Sequence, residues 1–449
     1  MPLQLQRLKR DAPLYGCAAA MEGAWLVLAS LGDLRPAIPW FWMLFAVAFA
    51  AYTGGAAFVA VRRGSLAAVL IGAAVFRLTL LPAAPSLSDD IYRYLWDGRV
   101  QLAGINPYMH SPGDPAVEEL RDVHYPHINH KDVPTIYPPL AQLFFLGVSA
   151  VSHTVTAMKA ALLCCEALLA AILILLLRRS GRDPRWVLLY LWNPLAVVEI
   201  AGSGHIDPLG IALLMAAASL MLNGRRGAAA LALAAAVLAK LIPLLAAPLF
   251  WREFGNHGGR DLRAWLSLRG RMPLLLLPVG VLAGYLPYSG AGAGLFDGLS
   301  AYAARWRFND SVFSLAVEGL RLAGVDAEGA HSGARLFCAG AVALTCLAAP
   351  VLMADPLRAL FVVLSVFTLL SPTLHPWYLL WILPFLPFFP NPAWLCLSGL
   401  VVLSYEVLGR YLHLGVWEEQ AWVRLVEFAP FYLLLAGVPI LRRRLPSLR

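Results

Sequence analysis

Charged residues are scarce in this sequence, and their scarcity excludes an ordinary soluble protein. Only 14% of the 449 residues are charged, whereas 60% are hydrophobic. Soluble domains contain roughly 25% charged and 45–50% apolar residues, because a larger apolar share could not be buried away from water. Apolar runs of about 17–22 residues, the length that crosses a bilayer core, recur along the chain. The sequence therefore predicts an all-α polytopic membrane protein.

Cysteine is also sparse, and its positions indicate packing rather than chemistry. The six cysteines lie inside apolar segments and lack the spacing of metal ligands: Cys17, Cys164, Cys165, Cys338, Cys346 and Cys396. A soluble domain, an internal repeat and a low-complexity tract are absent from the sequence as well. We therefore expect residues 1–449 to form a single transmembrane domain.

Apolar segments account for most of the chain, and about 12–14 of them are expected to be membrane segments. They lie near 13–32, 39–61, 65–82, 138–152, 157–177, 186–202, 207–222, 228–250, 272–289, 331–353, 356–371, 374–389, 393–409 and 421–440. The segment 138–152 is short and begins with Pro138–Pro139, which favours a helix that dips or lies along the interface. The segment 228–250 carries Lys240 and Pro243 at its middle, which favours a broken hairpin.

The basic residues, which leave a net charge of +8, gather in short loops rather than on one surface. The clusters are Arg62–Arg63, Arg178–Arg179 with Arg182 and Arg185, Arg225–Arg226, the stretch from Arg252 to Arg271, and Arg442–Arg444. This pattern indicates membrane topology rather than nucleic-acid binding, and the positive-inside rule puts the clusters and both termini in the cytoplasm. The loops 83–137, 203–206, 290–330, 371–375 and 410–420 then face outside. They hold the conspicuous polar motifs, so we expect an active site at the outer membrane surface.

Residues 83–137 form the most polar stretch, and their first part predicts an amphipathic interfacial helix over 88–103. Ser88 can cap its N-terminus. Ile91, Leu95, Gly98 and Leu102 share one face, and Asp90, Arg93, Tyr94, Asp97 and Gln101 share another. Asp89 and Asp90 start this helix. They either only complement the helix dipole, or one of them is a catalytic base that Arg93 orients.

Five short motifs carry a resemblance to a known family. Residues 88–98, 104–108, 136–140, 204–207 and 375–378 read SDDIYRYLWDG, GINPY, IYPPL, GHID and HPWY. With them the chain resembles the GT-C superfamily of polyprenyl-phosphate-sugar-dependent glycosyltransferases, and most of all its bacterial mannosyltransferase-like branch. The resemblance covers most of the chain and is specific for the superfamily rather than for the substrate.

That resemblance implies a reaction and its base. A hexose, with mannose favoured, would pass from a polyprenyl-phosphate donor to a hydroxyl of a glycolipid or lipid-linked glycan, with inversion, at the outer face of an inner or plasma membrane. In the family an acidic residue of the first large external loop is the general base. The motif makes Asp90 the first candidate and Asp89 the second. No cofactor or metal ligand is required in principle, and dependence on a divalent metal stays open.

The chemistry also requires cations, because the leaving lipid phosphate gains negative charge as its bond breaks. The candidates are Arg305, Arg307, His375 and Lys240. Each has a structural alternative. Arg305 and Arg307 flank Trp306 like an interfacial anchor, His375 stands at a helix end, and Lys240 marks a helix break.

A further set is expected to bind the acceptor and the sugar: His205, Asp207, Tyr92, Arg93, Tyr137, Trp377 and Tyr378. The alternatives are that His205 and Asp207 only cap a helix and that the aromatic residues form an interfacial belt. Glu199 is expected to support the site from behind, whereas Glu166 is expected to have a structural role.

Two other functions remain open from the sequence. A polytopic transporter or flippase of a lipid-linked sugar would place ionisable residues at the bilayer midplane, often in repeated halves. A lipid-linked polysaccharide ligase or polymerase would share the outer site and the phosphate leaving group, but its base need not lie in the first large loop.

Overall fold

The computed structural model describes residues 3–61, 64–255 and 270–444. It is 77% helical and has no strands in these residues, so the predicted all-α class is confirmed. The only extended pairing in the described ranges is a bridge between Phe308 and Thr373. The predicted basic pair Arg62–Arg63 and residues 256–269 of the predicted stretch 252–271 lie outside the described residues.

Six of the described helices are long and apolar enough to cross a membrane: Asp11–Ser30, Arg35–Ala60, Val155–Arg179, Met272–Arg305, Ala327–Leu352 and Pro392–Leu414. Pro194–Gly202 and Asp207–Leu222 together form a further candidate, bent by 120°, which we call the broken span. Shorter apolar helices are Leu66–Leu80, Pro139–Val151, Arg226–Ala239, Pro356–Leu370 and Pro376–Phe385. The remaining α-helices include Asp90–Leu102, Ala247–Phe254, Val312–Leu322 and Ala421–Arg444. The chain is a polytopic membrane protein in which several apolar segments are too short to span a bilayer alone.

A break in the chain at Lys240 confirms the interruption predicted in segment 228–250. The helix Arg226–Ala239 ends there, because Lys240 has an extended backbone with φ −158° and ψ 142°. The chain then continues through the short turn Ile242–Ala246, which contains Pro243, into Ala247–Phe254. Proline has no N–H to donate, so it cannot continue the preceding helix. The break leaves a lysine at the end of an apolar helix.

The helix Asp90–Leu102, which we call the loop helix, begins as the sequence predicts. The hydroxyl of Ser88 accepts a hydrogen bond from the N–H of Asp90 at 3.3 Å. Its polar face, however, is not left to solvent, because Arg93 and Asp97 are buried. One oxygen of Asp97 accepts from Arg93 Nε at 2.9 Å, and the other accepts from Gln142 Nε2 at 2.8 Å. The polar face of the loop helix is therefore packed inside the protein, so this is not a simple surface helix.

Two glycines allow the elements around the loop helix to approach closely. A Cβ on Gly98 would lie 2.6 Å from the carbonyl oxygen of Phe145, which no side chain tolerates. A Cβ on Gly204 would lie 2.5 Å from Ile91 Cδ1, and Gly204 also has a φ of +78°. These contacts press Pro139–Val151 and the turn of the broken span against the loop helix.

An ion pair between Arg77 and Glu166 joins the helices Leu66–Leu80 and Val155–Arg179. The guanidinium meets the carboxylate with two bonds, Nε to Oε2 at 2.6 Å and Nη2 to Oε1 at 2.5 Å. The side chains are only 9% and 1% exposed. This pairing agrees with the structural role predicted for Glu166.

Glu166→Gln is expected to lower the free energy of unfolding by about 3–5 kcal/mol, because it leaves the buried guanidinium of Arg77 without a counter-charge. The double variant Arg77→Met with Glu166→Leu is expected to recover most of the loss, since no charge then stays buried. Denaturant unfolding in detergent measures both. Asp33→Asn removes the exposed Asp33–Arg35 pair, whose side chains are 42% and 40% exposed, and is expected to cost less than about 1 kcal/mol. Equal losses for Glu166→Gln and Asp33→Asn would contradict this interpretation.

Candidate active site

A cavity of about 110 Å³ lies between the loop helix, the break at Lys240 and the segments around Tyr302 and His375. The residues that line it are Asp90, Arg93, Tyr94, Asn129, His130, Val133, Pro134, Ile136, Tyr137, Lys240, Tyr302, Trp306, His375, Trp377 and Tyr378. They combine one carboxylate with several basic groups and six aromatic rings. Such a lining suits a ligand that has both hydroxyl groups and negative charge.

Asp90 is the first residue of the loop helix and the only carboxylate among the described lining residues. Its side chain is 29% exposed, and Oδ2 lies 3.6 Å from Nδ1 of His205. Burial by itself would raise the pKa of Asp90, but the contact with His205 and the charges of His205, His375 and Lys240 outweigh it. The pKa of Asp90 therefore lies below that of a free aspartate, and the carboxylate is ionised at neutral pH.

His205 connects Asp90 to a second, fully buried carboxylate. Its Nε2 lies 3.4 Å from Oε2 of Glu199, whose other oxygen accepts a hydrogen bond from the hydroxyl of Tyr405 at 2.8 Å. Glu199 belongs to the π-helical stretch Val197–Gly202, a distortion that often occurs at functional sites. The imidazole thus stands between two carboxylates, one in the cavity wall and one behind it.

Stacked rings hold the two histidines of the site in place. The ring of His205 stacks on Trp377 with centroids 3.9 Å apart, and Trp377 stacks on His375 at 4.3 Å. His375 in turn stacks on Phe308 at 4.7 Å, next to the bridge that Phe308 forms with Thr373. His375 is stacked between Trp377 and Phe308, and His205 is stacked on Trp377, so each ring has a restricted orientation. The motif around His375 therefore meets the motif around His205 directly.

Lys240 reaches the cavity with its charge balanced by Asp207. Its Nζ lies 2.6 Å from Oδ1 of Asp207, which also accepts from Nε1 of Trp381 at 2.5 Å. The Lys240 side chain is 20% exposed and that of Asp207 only 1% exposed. Lys240 is thus part of the wall, whereas Asp207 lies behind it and does not line the cavity.

Arg93 lines the cavity, and one nitrogen of its guanidinium has no partner among the described residues. Its Nε bonds to Asp97, and its Nη1 donates to the carbonyl of Val133 at 3.0 Å. Nη2 is buried and unpartnered among the described residues. A buried donor without a partner is unfavourable unless a ligand or water completes it. Arg93 is therefore suited to binding an oxygen-rich ligand.

Several residues predicted for the site lie outside the cavity. Arg305 pairs at 3.0 Å with Asp132 on the surface, where the side chains are 61% and 67% exposed. Arg307 donates to Asp310 at 2.5 Å and is likewise absent from the lining. Their positive charges are neutralised by the carboxylates of Asp132 and Asp310, which the sequence analysis had not paired with them.

Asp89 and Tyr92 also lie beside the cavity rather than in its wall. Burial raises the pKa of Asp89, and Asp90 raises it further, against the lowering effect of Arg35. Tyr92 stacks on His127 with centroids 4.7 Å apart. In contrast, Tyr137, Trp377 and Tyr378 line the cavity, and their binding of sugar or acceptor stays a prediction.

The lining residues that the sequence reasoning missed include His130 and Tyr302. The hydroxyl of Tyr302 hydrogen-bonds to that of Tyr378. The backbone of His130 is in the left-handed region, with a φ of 44°, and this conformation is not apparent from the sequence. The His-rich middle of the loop was the available signal for His130, whereas nothing in the sequence around Tyr302 distinguishes it.

Comparison with known proteins identifies one family. A family model described as alpha-(1->6)-mannopyranosyltransferase, N-terminal domain, matches residues 9–252, more than half of the chain. The matched range contains Asp90, Arg93, His205 and Lys240 and ends before Tyr302. A search of curated proteins found no match.

Proposed function

Because the chain belongs to the alpha-(1->6)-mannopyranosyltransferase family, we propose that it moves mannose from a polyprenyl-phosphate donor to the C6 hydroxyl of a mannosyl acceptor. The acceptor would be a glycolipid or lipid-linked glycan, and the reaction would occur at the extracytoplasmic face. Inversion that yields an α product requires a donor whose mannose is β-linked to phosphate. The observation that carries this proposal is the single carboxylate, Asp90, in a cavity whose described lining also contains several basic and aromatic residues.

Asp90 acts as the general base in this mechanism. As the acceptor oxygen attacks C1 of the mannose, its proton passes to the Asp90 carboxylate, while the C1–O bond to phosphate breaks and its electron pair leaves with the phosphate. One carboxylate suffices, because a single displacement forms no covalent enzyme intermediate.

His205 positions that base from behind. It lies 3.6 Å from Asp90 and 3.4 Å from Glu199, so it holds the Asp90 carboxylate in one orientation and favours its ionised form. The stacking of His205 on Trp377 fixes the imidazole plane. Glu199 and Tyr405 then support His205 rather than the substrate.

The leaving phosphate is bound by two cationic groups of the cavity wall and by two neutral imidazoles. Lys240 offers an ammonium and Arg93 its guanidinium. Burial lowers the pKa of His375 and of His130, so these two rings offer neutral N–H donors. Donors placed where charge develops stabilise the transition state most. Tyr137, Trp377 and Tyr378 provide ring faces for the sugar, while His205 and Asp207 act behind the wall instead of binding the acceptor directly.

The extracytoplasmic location is supported by where single helices begin and end. The helix Val155–Arg179 starts beside the loop, where Lys159 Nζ donates to the carbonyls of Leu80 at 2.9 Å and Ala83 at 2.8 Å, and it ends in Arg178–Arg179. Its 25 residues span about 37 Å, so the arginines lie far from the cavity. By the positive-inside rule these arginines are cytoplasmic, and the cavity is therefore on the opposite face.

The proposal is tested by offering the protein, purified in nanodiscs, radiolabelled polyprenyl-phosphate-mannose and short α-(1→6)-linked mannosides. We expect labelled products one mannose longer, and linkage analysis should identify a new α-(1→6) bond. Label that moves only to another hydroxyl would correct the acceptor, whereas a donor left intact with every acceptor, including a membrane lipid extract, would contradict the function. Movement of donor across the bilayer of sealed proteoliposomes, without transfer, would favour a flippase instead.

The pH dependence of transfer distinguishes the two candidate bases. A base must be unprotonated, so activity falls as pH falls through its pKa. Because the pKa of Asp90 is lowered, kcat/KM is expected to be flat from neutral pH down to about pH 5, with its acid limb below about pH 4. The pKa of Asp89 is raised, so an acid limb clearly above pH 4 would assign the base to Asp89. Full recovery of activity on return to pH 7 excludes irreversible acid inactivation as the cause.

A further inference from the structure

Away from the cavity, the loop brings together three metal-ligating side chains that the proposed reaction does not use. Asp122, His124 and His153 each direct a ligand atom to one point, and all three atoms lie within 4.8 Å of one another. They are the only such group of three in the described residues. Asp122 and His124 come from the His-rich middle of the loop, while His153 stands just before the helix Val155–Arg179.

The geometry points to a zinc site formed by Asp122, His124 and His153, with water in the fourth position. Two imidazoles and one carboxylate are a ligand set that Zn²⁺ favours. Ligand bonds of about 2.0–2.1 Å in a tetrahedron place donor atoms about 3.3 Å apart. The distance between His153 Nε2 and Asp122 Oδ2 is 2.9 Å, close to that value, whereas the ligand atom of His124 lies within 4.8 Å of both and would have to move inward to complete the site.

The surroundings of the trio orient its ligands. The second carboxylate oxygen of Asp122 accepts from the N–H of His124 at 2.9 Å, which leaves Oδ2 facing His153. Arg99 approaches Oδ2 at 3.6 Å, but its Nε is held by the carbonyl of Leu120 at 2.7 Å. An oriented carboxylate with one oxygen left for the metal is the usual arrangement around metal ligands. All three ligands are half-buried, so an ion can enter from solvent.

The proposed zinc site would link two segments of the chain and would take no part in the proposed reaction. None of its ligands lines the cavity. An ion bound there would connect residues 31 positions apart, fastening the middle of the loop to the start of a membrane helix. Tyr92, whose ring lies 5.9 Å from that of His124, would pass this restraint to the loop helix. We therefore expect zinc to order residues 104–137 without touching substrate.

The test is metal binding by the full chain, purified in detergent with an affinity tag that contains no histidine. After removal of metal by a chelator, Zn²⁺ is expected to bind with one equivalent, and Co²⁺ is expected to give the visible absorption of a four- or five-coordinate ion. Both signals should be lost in His153→Ala and in Asp122→Asn. His110→Ala is the matched control, because His110 forms a similar pair with Asp114 at 2.7 Å in the same loop but has no third ligand.

Hydrogen exchange supplies a second measurement that is independent of transfer activity. Zn²⁺ is expected to slow exchange of residues 104–137 on the order of tenfold in wild type and in His110→Ala, but not in His124→Gln, which keeps a polar side chain of similar reach. Absence of stoichiometric Zn²⁺ binding by the wild type would overturn the proposal. Equal binding by the wild type and a correctly folded Asp122→Asn variant would overturn it too.

Discussion

Asp90→Asn is expected to lower the rate of mannosyl transfer by about 10³-fold, within the range of 10²–10⁴ that a general base contributes. The amide keeps the size of the side chain and its place at the start of the loop helix, but it cannot accept the acceptor's proton. Donor binding and folding should stay near wild type, because Asp90 accepts no strong hydrogen bond that the amide oxygen could not replace. Single-turnover transfer from labelled donor measures the rate, and donor binding is measured separately.

Asp89→Asn is the matched control for this experiment. Asp89 is adjacent in sequence, is also an aspartate, and lies outside the described lining of the cavity. We expect less than about a tenfold loss, because its carboxylate influences the site only through charge. A neutral Asp90→Asn paired with an inactive Asp89→Asn would move the base by one residue. Full activity of both variants would refute the loop carboxylate mechanism and would favour a ligase or polymerase with its base elsewhere.

Lys240→Met is expected to reduce kcat by about 10²–10³-fold, the effect of removing one preorganised charge from a developing anion. Methionine retains the length of the side chain and its packing near the ring of Tyr378, which lies 5.4 Å from Nζ. The loss should appear in kcat more than in KM, because the phosphate carries more charge in the transition state than in the donor.

Removal of Lys240 also leaves Asp207 without its counter-charge, so a second variant separates the two effects. The double variant Lys240→Met with Asp207→Asn restores neutrality behind the wall and keeps an acceptor for Nε1 of Trp381, which donates to Asp207 at 2.5 Å. If the ammonium acts on the phosphate, the double variant stays as slow as Lys240→Met. Recovery of activity would mean that the pair is only structural. Arg305→Ala, on its exposed pair with Asp132, is the surface control and should change kcat less than about threefold.

The sequence predicted the helical fold and the start of the loop helix because both depend on local patterns. Apolar runs identify helices, and Ser88 followed by two acids identifies the start of the loop helix. The break at Lys240 was also predictable, since a charged residue followed by a proline is incompatible with a straight apolar helix. The number of helices that cross the membrane completely could not be predicted from composition. Prolines inside the apolar runs divide these runs into shorter helices.

Two of the three charge partners were not predictable, because they come from distant parts of the chain, whereas Asp310 lies only three residues after Arg307. Arg305 and Arg307 were natural candidates for a phosphate, yet Asp132 and Asp310 neutralise them. Asp132 is 173 residues away from Arg305 in sequence. The same holds for Asp207, which looked like a ligand for hydroxyl groups but instead balances Lys240. The sequence shows which residues are ionisable. The packing of the helices determines which of them are paired within the protein and which are available to bind a substrate.

The cavity is assembled from both halves of the chain, and this has a consequence for biosynthesis. Asp90, Arg93 and Lys240 emerge from the ribosome early, but His375 and Tyr378 complete the wall only after most of the protein has been inserted. A nascent or truncated chain would carry the base without an enclosing pocket. Such a chain could not position a lipid-linked sugar against an acceptor. Under the proposed function, transfer is therefore expected to begin only when the late helices are in place.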